Sequence, residues 1–296
     1  MQTMNAINDL ENAGSLTVRE ILAGDVRLAS PPEIFLKISE IIDDPAKTVK
    51  DAEEVIKHDP GLAARLLRLV NSAFYGFPAR IDSISHAISL IGMTELRDLV
   101  LATVIVDRFS KLPNKLMSMR EFWRVSVRCA LFARNLGVRH PQSRTLRAVY
   151  ISALLHEIGR LVIYSRIPEL ARAALLLADS EGMEETEAER LSYGFDHYEV
   201  GSELAARWHL PEVFVETMKW HGQPEKAEKY PQETALTTVS SLLALKDIDS
   251  EEKLEEQYYT LEPFMIHLGM KENDIAAVLP EIDLQFEEVF QSLFLS

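Results

Sequence analysis

Leu154-Leu155-His156-Glu157-Ile158-Gly159-Arg160-Leu161 sets an imidazole and a carboxylate side by side within an otherwise apolar helical pattern. A surface helix keeps such groups on its wet face, but Leu154, Leu155, Ile158 and Leu161 wrap this doublet in hydrocarbon on every side. A His-acid pair buried in this way points to a metal site or to the remains of one, because imidazole and carboxylate are the usual hard-to-bury ligand pair. The same residues also allow a plainer arrangement. In it, His156 donates to a nearby carbonyl while Glu157 pairs with Arg160 or reaches solvent.

Outward from this stretch the chain reads as helix after helix, with no convincing strand. Pro31, Pro32 and Glu33 after Ser30 give a helix start, and Ile34, Ile38, Ile41 and Ile42 share its apolar side. Thr48 to about His58 forms the next helix. Asp59-Pro60 caps another, carrying Leu62, Leu66, Leu67 and Val70 inward. Ser83 starts a helix through Leu90, and Thr94 caps one that runs to about Arg108. Lys111 to Met119 connects two helical halves, expected at 1–112 and 113–296. Beyond it, helices are expected over Arg120–Leu136 (ended by Gly137), Thr145–Tyr164 and Pro168–Asp179. Thr186-Glu189 and Asp196-Glu199 read as capping boxes. Further helices run from Pro211 to Gly222, from Thr234 to Leu245, near Leu254–Gly269 and over Asp274–Phe294.

Composition narrows the functional classes. The 296 residues carry a formal net charge of −15, which argues against a general affinity for nucleic acid or an anionic membrane. The most apolar run, Leu99 to Val106, is far too short to span a bilayer. Met1 to Gly14 carries Asp9 and Glu11 and lacks the layout of a signal peptide. The lone Cys129 excludes an internal disulfide, so a reducing, cytoplasmic setting is expected.

Two later histidines join His156 and Glu157 as candidates. His197 opens a helix on the face shared with Gly201, Leu204 and Trp208, and is expected to point inward. His221 precedes Gly222 at a helix end, where a cationic side chain also suits the dipole. Neither needs a ligand to be explained. Cys129 lies on an apolar stripe and reads as core. The acidic run Glu181–Glu189 reads as a solvated loop and helix start. Phe74-Tyr75-Gly76-Phe77 reads as packing between helices, or as an aromatic wall over a groove. The stripe Phe286, Val289, Phe290 and Leu293 is expected to pack internally, the alternative being a second copy of the chain.

In order along the chain, Pro31-Pro32-Glu33-Ile34, His58-Asp59-Pro60-Gly61-Leu62, Leu69-Val70-Asn71-Ser72-Ala73 and Ala87-Ile88-Ser89-Leu90-Ile91-Gly92 resemble signatures of the HDOD family. Phe122-Trp123-Arg124, the His156-Glu157 stretch, Asp196-His197-Tyr198-Glu199-Val200-Gly201 and Trp208-His209-Leu210-Pro211 continue the resemblance, which covers residues 20–245. This family is a bacterial signalling branch of the HD metal-dependent phosphohydrolase superfamily. The resemblance implies an all-α fold, with an HD-domain-like C-terminal half packed against an N-terminal helical bundle.

It also implies where a metal set should be. Catalytic HD enzymes use an early histidine, a His-Asp doublet and a late aspartate. Here the early position, after Phe122-Trp123-Arg124, is Val125, the doublet is His156-Glu157, and Thr237-Thr238-Val239-Ser240-Ser241 offers hydroxyls where the aspartate is expected. Valine cannot ligate and serine replaces a carboxylate poorly. His156, Glu157, His197 and His221 are what remain, as a vestigial ligand-binding set without catalytic residues, resident metal or other cofactor. The expected role is a regulatory signalling module that binds a protein partner, supplied in trans, or a small ligand, in a cleft between the halves lined by the His156 helix and by Phe74–Phe77. The competing expectation is a divalent-metal phosphohydrolase acting on a nucleotide or cyclic dinucleotide, with Glu157 in the aspartate's place.

Overall fold

A computed structural model describes residues 16–23, 30–112, 114–140, 149–247 and 251–294. The described residues form helices and no strand, in the order α1 Val18–Ala23, α2 Glu33–Asp43, α3 Val49–Lys57, α4 Pro60–Val70, α5 Ile84–Ile91 and α6 Met93–Ser110. They continue as α7 Met119–Arg139, α8 Val149–Leu155, α9 Ile158–Arg166, α10 Pro168–Glu181, α11 Glu185–Tyr193, α12 His197–Arg207 and α13 Glu212–Trp220. A 3-10 turn at Pro224–Lys226 leads to α14 Pro231–Leu245, α15 Glu251–Leu268, α16 Glu272–Ala276 and α17 Leu279–Phe294. No described helix is long and apolar enough to cross a membrane.

The caps explain many of these boundaries. Asp59, Ser83 and Asp196 each accept from a backbone amide in the first turn, at Leu62, His86 and Glu199. Thr48 and Asp51 close a reciprocal capping box. Elsewhere the structure corrects the expectations. The helix anticipated from Ser30 begins after Pro32, and the one assigned to a Thr94 cap begins after Gly92, whose φ of 86° suits glycine. Gly137 does not end α7; it is buried within it, and the helix runs on to a His140 cap. No capping box forms at Thr186, because α11 has already started at Glu185. The segment expected as one helix over Asp274–Phe294 breaks at Ala277-Val278 into α16 and α17. The expected start at Thr145 lies outside the described residues, as does the stretch Met1–Gly14.

The spine is α7, against which α8, α14 and α17 pack. Its contact with α14 is close because that helix turns alanine, threonine and serine side chains into the core on nearly all sides. Cys129 sits in this seam, fully buried and about 4.0 Å from the Thr237 carbonyl, and burial pushes its thiol well above its ordinary range, so it is core as expected. A second layer pairs α12 with α13 and with α9. Towards the N-terminus, α6 gathers α2, α4 and α5. Helix α17 lies against α4, α6 and α7 with Phe286, Val289, Phe290 and Leu293 buried, so that stripe packs internally.

Candidate functional site

His156 and Glu157 do not lie inside one helix, as the sequence pattern suggests. They form the break between α8 and α9. Helix α8 belongs with α7 and α14, whereas α9 belongs with α12, so the two-residue break carries the chain from one layer to the other. The turn places His156 towards α14 and Glu157 towards α12 and α13. Gly159, two residues on, makes the crossing possible. A Cβ there would stand 2.0 Å from the His197 carbonyl oxygen and 2.6 Å from the Gly201 amide nitrogen. Only glycine allows the backbones of α9 and α12 to meet at that distance, and the contact sets His197 beside Glu157.

All four sequence candidates converge. The Nε2 of His221 is 3.4 Å from Glu157 Oε1, and that of His156 is 3.8 Å from the same oxygen. His197 Nε2 approaches Glu157 Oε2 at 3.2 Å. His156, His197 and His221 are buried, and Glu157 is nearly so. The rings interlock: His156 and His221 meet edge to face at 4.7 Å, and the Tyr198 ring stands against His197 at 4.4 Å and His221 at 4.2 Å. Gly222 leaves the room for Tyr198, since a Cβ at that position would lie 2.5 Å from its ring.

Each imidazole is oriented by its other nitrogen. His156 Nδ1 lies 2.7 Å from the Ala153 carbonyl, which fixes the proton there and leaves Nε2 to accept from the Ser241 hydroxyl at 3.0 Å. His221 Nδ1 faces the Thr217 and Met218 carbonyls at 3.2 and 3.1 Å. His197 Nδ1 lies 2.6 Å from Glu189 Oε2, and that oxygen also accepts the His197 amide at 2.9 Å.

The electrostatics sort the groups. Burial, and then the neighbouring His221, push His156 down to about 4, so the ring is neutral at physiological pH. Burial opposes the charge on Glu157, but Arg160 and then His197 outweigh it and hold this carboxyl well below the usual range. For His197, burial and Arg160 press the pKa down, yet Glu157 and Glu189 prevail and lift it to about 9. Arg160 donates through Nε to Glu157 Oε2 at 3.0 Å and pairs with Glu185 through Nη1. Its Nη2 lies 3.2 Å from His197 Nε2, so guanidinium and imidazole meet beside Glu157 Oε2, which Arg160 Nε and His197 Nε2 both approach.

Above this floor opens a cleft of about 650 Å³. Phe122, Val125, Leu242, Leu245 and Phe264 form its apolar walls, and Glu121, Glu184 and Glu185 stand at its edge. Phe74–Phe77 is not part of it, contrary to expectation. Phe74 is buried against Tyr150 and beneath the Arg134 guanidinium, 3.8 Å from its ring centre, so the aromatic break packs helices together. Sequence reasoning also missed residues. Glu189, read as part of a solvated acidic run, is buried and anchors His197. Arg160 was foreseen only as a partner for Glu157, and Tyr198 only as part of a motif.

Val125 and Ser241 line the same cleft, so the positions where the resemblance implies two further metal ligands do face this floor. His156, Glu157 and His221 offer three donor atoms within 4.8 Å of one another, which suits a divalent ion in kind. They do not fit the full hydrolytic set. Valine and a serine that already donates to His156 hold the other positions, and the single central carboxylate is already paired with a guanidinium.

The comparisons agree with this fold. A solved structure of a candidate phosphohydrolase from Shewanella amazonensis SB2B superposes with a TM-score of 0.75 at 23% identity, covering 94% of this chain and 98% of that one. An HDOD domain protein of unknown function from Geobacter sulfurreducens gives 0.74 at 26% identity, with 94% and 97% covered. An uncharacterized protein of Treponema pallidum (strain Nichols) is 27% identical over 227 residues, 76% of this chain but 43% of its own length, so this chain spans less than half of that relative. The HDOD domain model matches residues 28–224, a span that holds α2 to α13 and with them the His156-Glu157 break, His197 and His221. The chain belongs to the HDOD domain family.

Proposed function

We propose that this chain is a cytoplasmic regulatory module of bacterial signal transduction, in which the central cleft binds a small ligand or a segment of a protein partner and hydrolyses neither. The observation that carries this reading is the Arg160–Glu157 pair, with Nε 3.0 Å from Oε2, set opposite Val125 and Ser241. A hydrolytic centre needs ligands with charge to spare for the metal and an open position for activated water. Here the carboxylate's charge is committed to a fixed guanidinium, while valine brings no donor. What remains is a shaped, partly apolar cleft with a rigid polar floor, the usual form of a recognition site. A net charge of −15 speaks against nucleic acid as the partner.

The competing reading is a metal-dependent phosphohydrolase acting on a nucleotide or cyclic dinucleotide. One observation favours it: three donors from His156, Glu157 and His221 lie within 4.8 Å of one another. Elemental analysis of the purified protein, joined to hydrolysis of bis(4-nitrophenyl) phosphate with added manganese, iron, zinc or nickel, separates the two. The regulatory reading expects substoichiometric metal and background hydrolysis. Stoichiometric metal with turnover that disappears in His156→Ala would overturn it.

A further inference from the structure

Outside the central cleft, a second cavity of about 490 Å³ lies where the end of α6, the start of α7 and the last turns of α17 meet. That volume suits a small molecule. Trp123, Phe290 and Phe294 give it aromatic walls, and Ser110, Arg120 and Glu287 also line it. The two cavities share α7: Phe122, which lines the central cleft, meets the Trp123 ring edge-on at 5.0 Å.

Two residues of this wall carry a buried polar atom without a partner. Trp123 is only 1% exposed, and its indole N–H, which can donate but not accept, meets no acceptor. The Ser110 hydroxyl, at the last residue of α6, is buried and unpaired as well. A donor shut away from water with nothing to bond carries the full cost of its lost hydration. The rings beside the indole offer at most the weak acceptance of an aromatic face. The exposed edge of the cavity holds one charge of each sign, Arg120 and Glu287. Arg120 lies 6.0 Å from the centre of the Phe290 ring, and Glu287 accepts from Gln291 at 2.7 Å. Such an edge favours neither anions nor cations.

We propose that this cavity is a binding site for an uncharged aromatic molecule bearing a carbonyl oxygen, which accepts from the Trp123 indole N–H with the Ser110 hydroxyl as a second donor. The aromatic part packs on Phe290 and Phe294. A carbonyl suits the wall because it brings acceptors and adds no donor to be buried in turn. The site is separate from the central cleft and does not depend on what that cleft binds.

The test follows the indole N–H resonances of the full, ¹⁵N-labelled chain with acetophenone as the probe, and measures affinities by calorimetry. α-Methylstyrene, the same shape with a methylene in place of the oxygen, is the control without an acceptor. Benzoate and phenethylammonium are the charged controls. The expected result is a saturable downfield shift of the Trp123 indole proton with acetophenone. α-Methylstyrene leaves that proton in place and binds at least about fivefold more weakly, the loss expected for one neutral hydrogen bond. Trp123→Phe keeps an aromatic ring, removes the N–H and brings the two affinities level. Ser110→Ala, a small change at a helix end, narrows the preference for the ketone and keeps the test open should Trp123→Phe fail to fold. Equal affinity of the wild type for ketone and hydrocarbon overturns the proposal, as does tighter binding of either charged control. So does a shift confined to the Trp208 or Trp220 indole, or no binding of any probe, the result for a cavity that takes only water.

Discussion

At the scale of single residues, charge pairing inside the fold controls what can be changed. Arg160 and Glu157 stabilise one another within a buried charge cluster, where removing one leaves Glu157 with His197 alone or Arg160 with Glu185 alone. Arg160→Met is expected to destabilise by about 3–5 kcal/mol, the usual result of breaking one side of such a pair. Combining it with Glu157→Gln should recover much of the loss, which urea unfolding of the two single variants and the double variant will show. Asp98 on α6 offers a pH-dependent case. Burial raises its carboxyl to about 6, with Arg97 only partly opposing the shift. The folded state therefore holds this proton more tightly than the unfolded chain does. Its contribution is full below the ordinary carboxylate range and is lost as pH rises towards 6. The stability of the wild type relative to Asp98→Asn should fall by up to roughly 3 kcal/mol between pH 4 and 7 and stay level above that. A difference that is flat across this range would contradict the assignment. Residues of this kind show why the site was only partly legible. His156, Glu157, His197 and His221 stood out because each interrupts or ends an apolar pattern. Glu189 lies in an acidic run, and only its spacing from Tyr193, another inward residue four positions on, hints that it faces the core.

At the scale of elements, helix existence was readable and helix interruption was not. Apolar periodicity announces α4, α7 and α14, but it runs unbroken across Leu154–Leu161, since both sides of the His156-Glu157 turn are buried. The break comes from tertiary demand, the need to pass from the α7 layer to α12, which no local signal encodes. Gly159 is where that demand is met. Gly159→Ala places a methyl carbon 2.0 Å from the His197 carbonyl, and backbone cannot move aside as a flexible side chain can. A loss of at least about 3 kcal/mol is expected, read as a lowered thermal midpoint. The facing change Gly201→Ala, with its nearest atom at 3.4 Å, should be tolerated far better. Equal effects of the two alanines would argue against the close crossing.

At the scale of the whole molecule, α17 returns the end of the described chain to α4, α6 and α7. Its Glu288 accepts the Ala73 amide at 2.7 Å, its Gln285 accepts from Asn135 at 2.9 Å, and its Glu281 pairs with Arg139 at 2.6 Å. Phe290 is buried and sits 4.6 Å from Phe294, and the Phe294 ring in turn lies 5.9 Å from Trp123. Phe290→Ala should therefore cost about 3–5 kcal/mol and loosen the packing around Trp123. Fluorescence from that indole should shift to the red before the far-ultraviolet helical signal is lost. An unchanged emission maximum would place the helix outside the cooperative core. The sequence showed this helix as amphipathic, yet it could not say which partners its apolar side would find, because that depends on three helices remote in the chain.

The seam at Gly159 also decides where this architecture has freedom to diverge. With α9 and α12 touching main chain to main chain, the positions of His197 and Glu157 are set by peptide groups and admit little adjustment. Novelty in what such proteins accept must then arise around the opening, at residues such as Val125, Leu245 and Phe264, whose side chains can be exchanged without disturbing the joint beneath. A change of preference by substitution is thus a matter of refitting the doorway, since the foundation tolerates no remodelling.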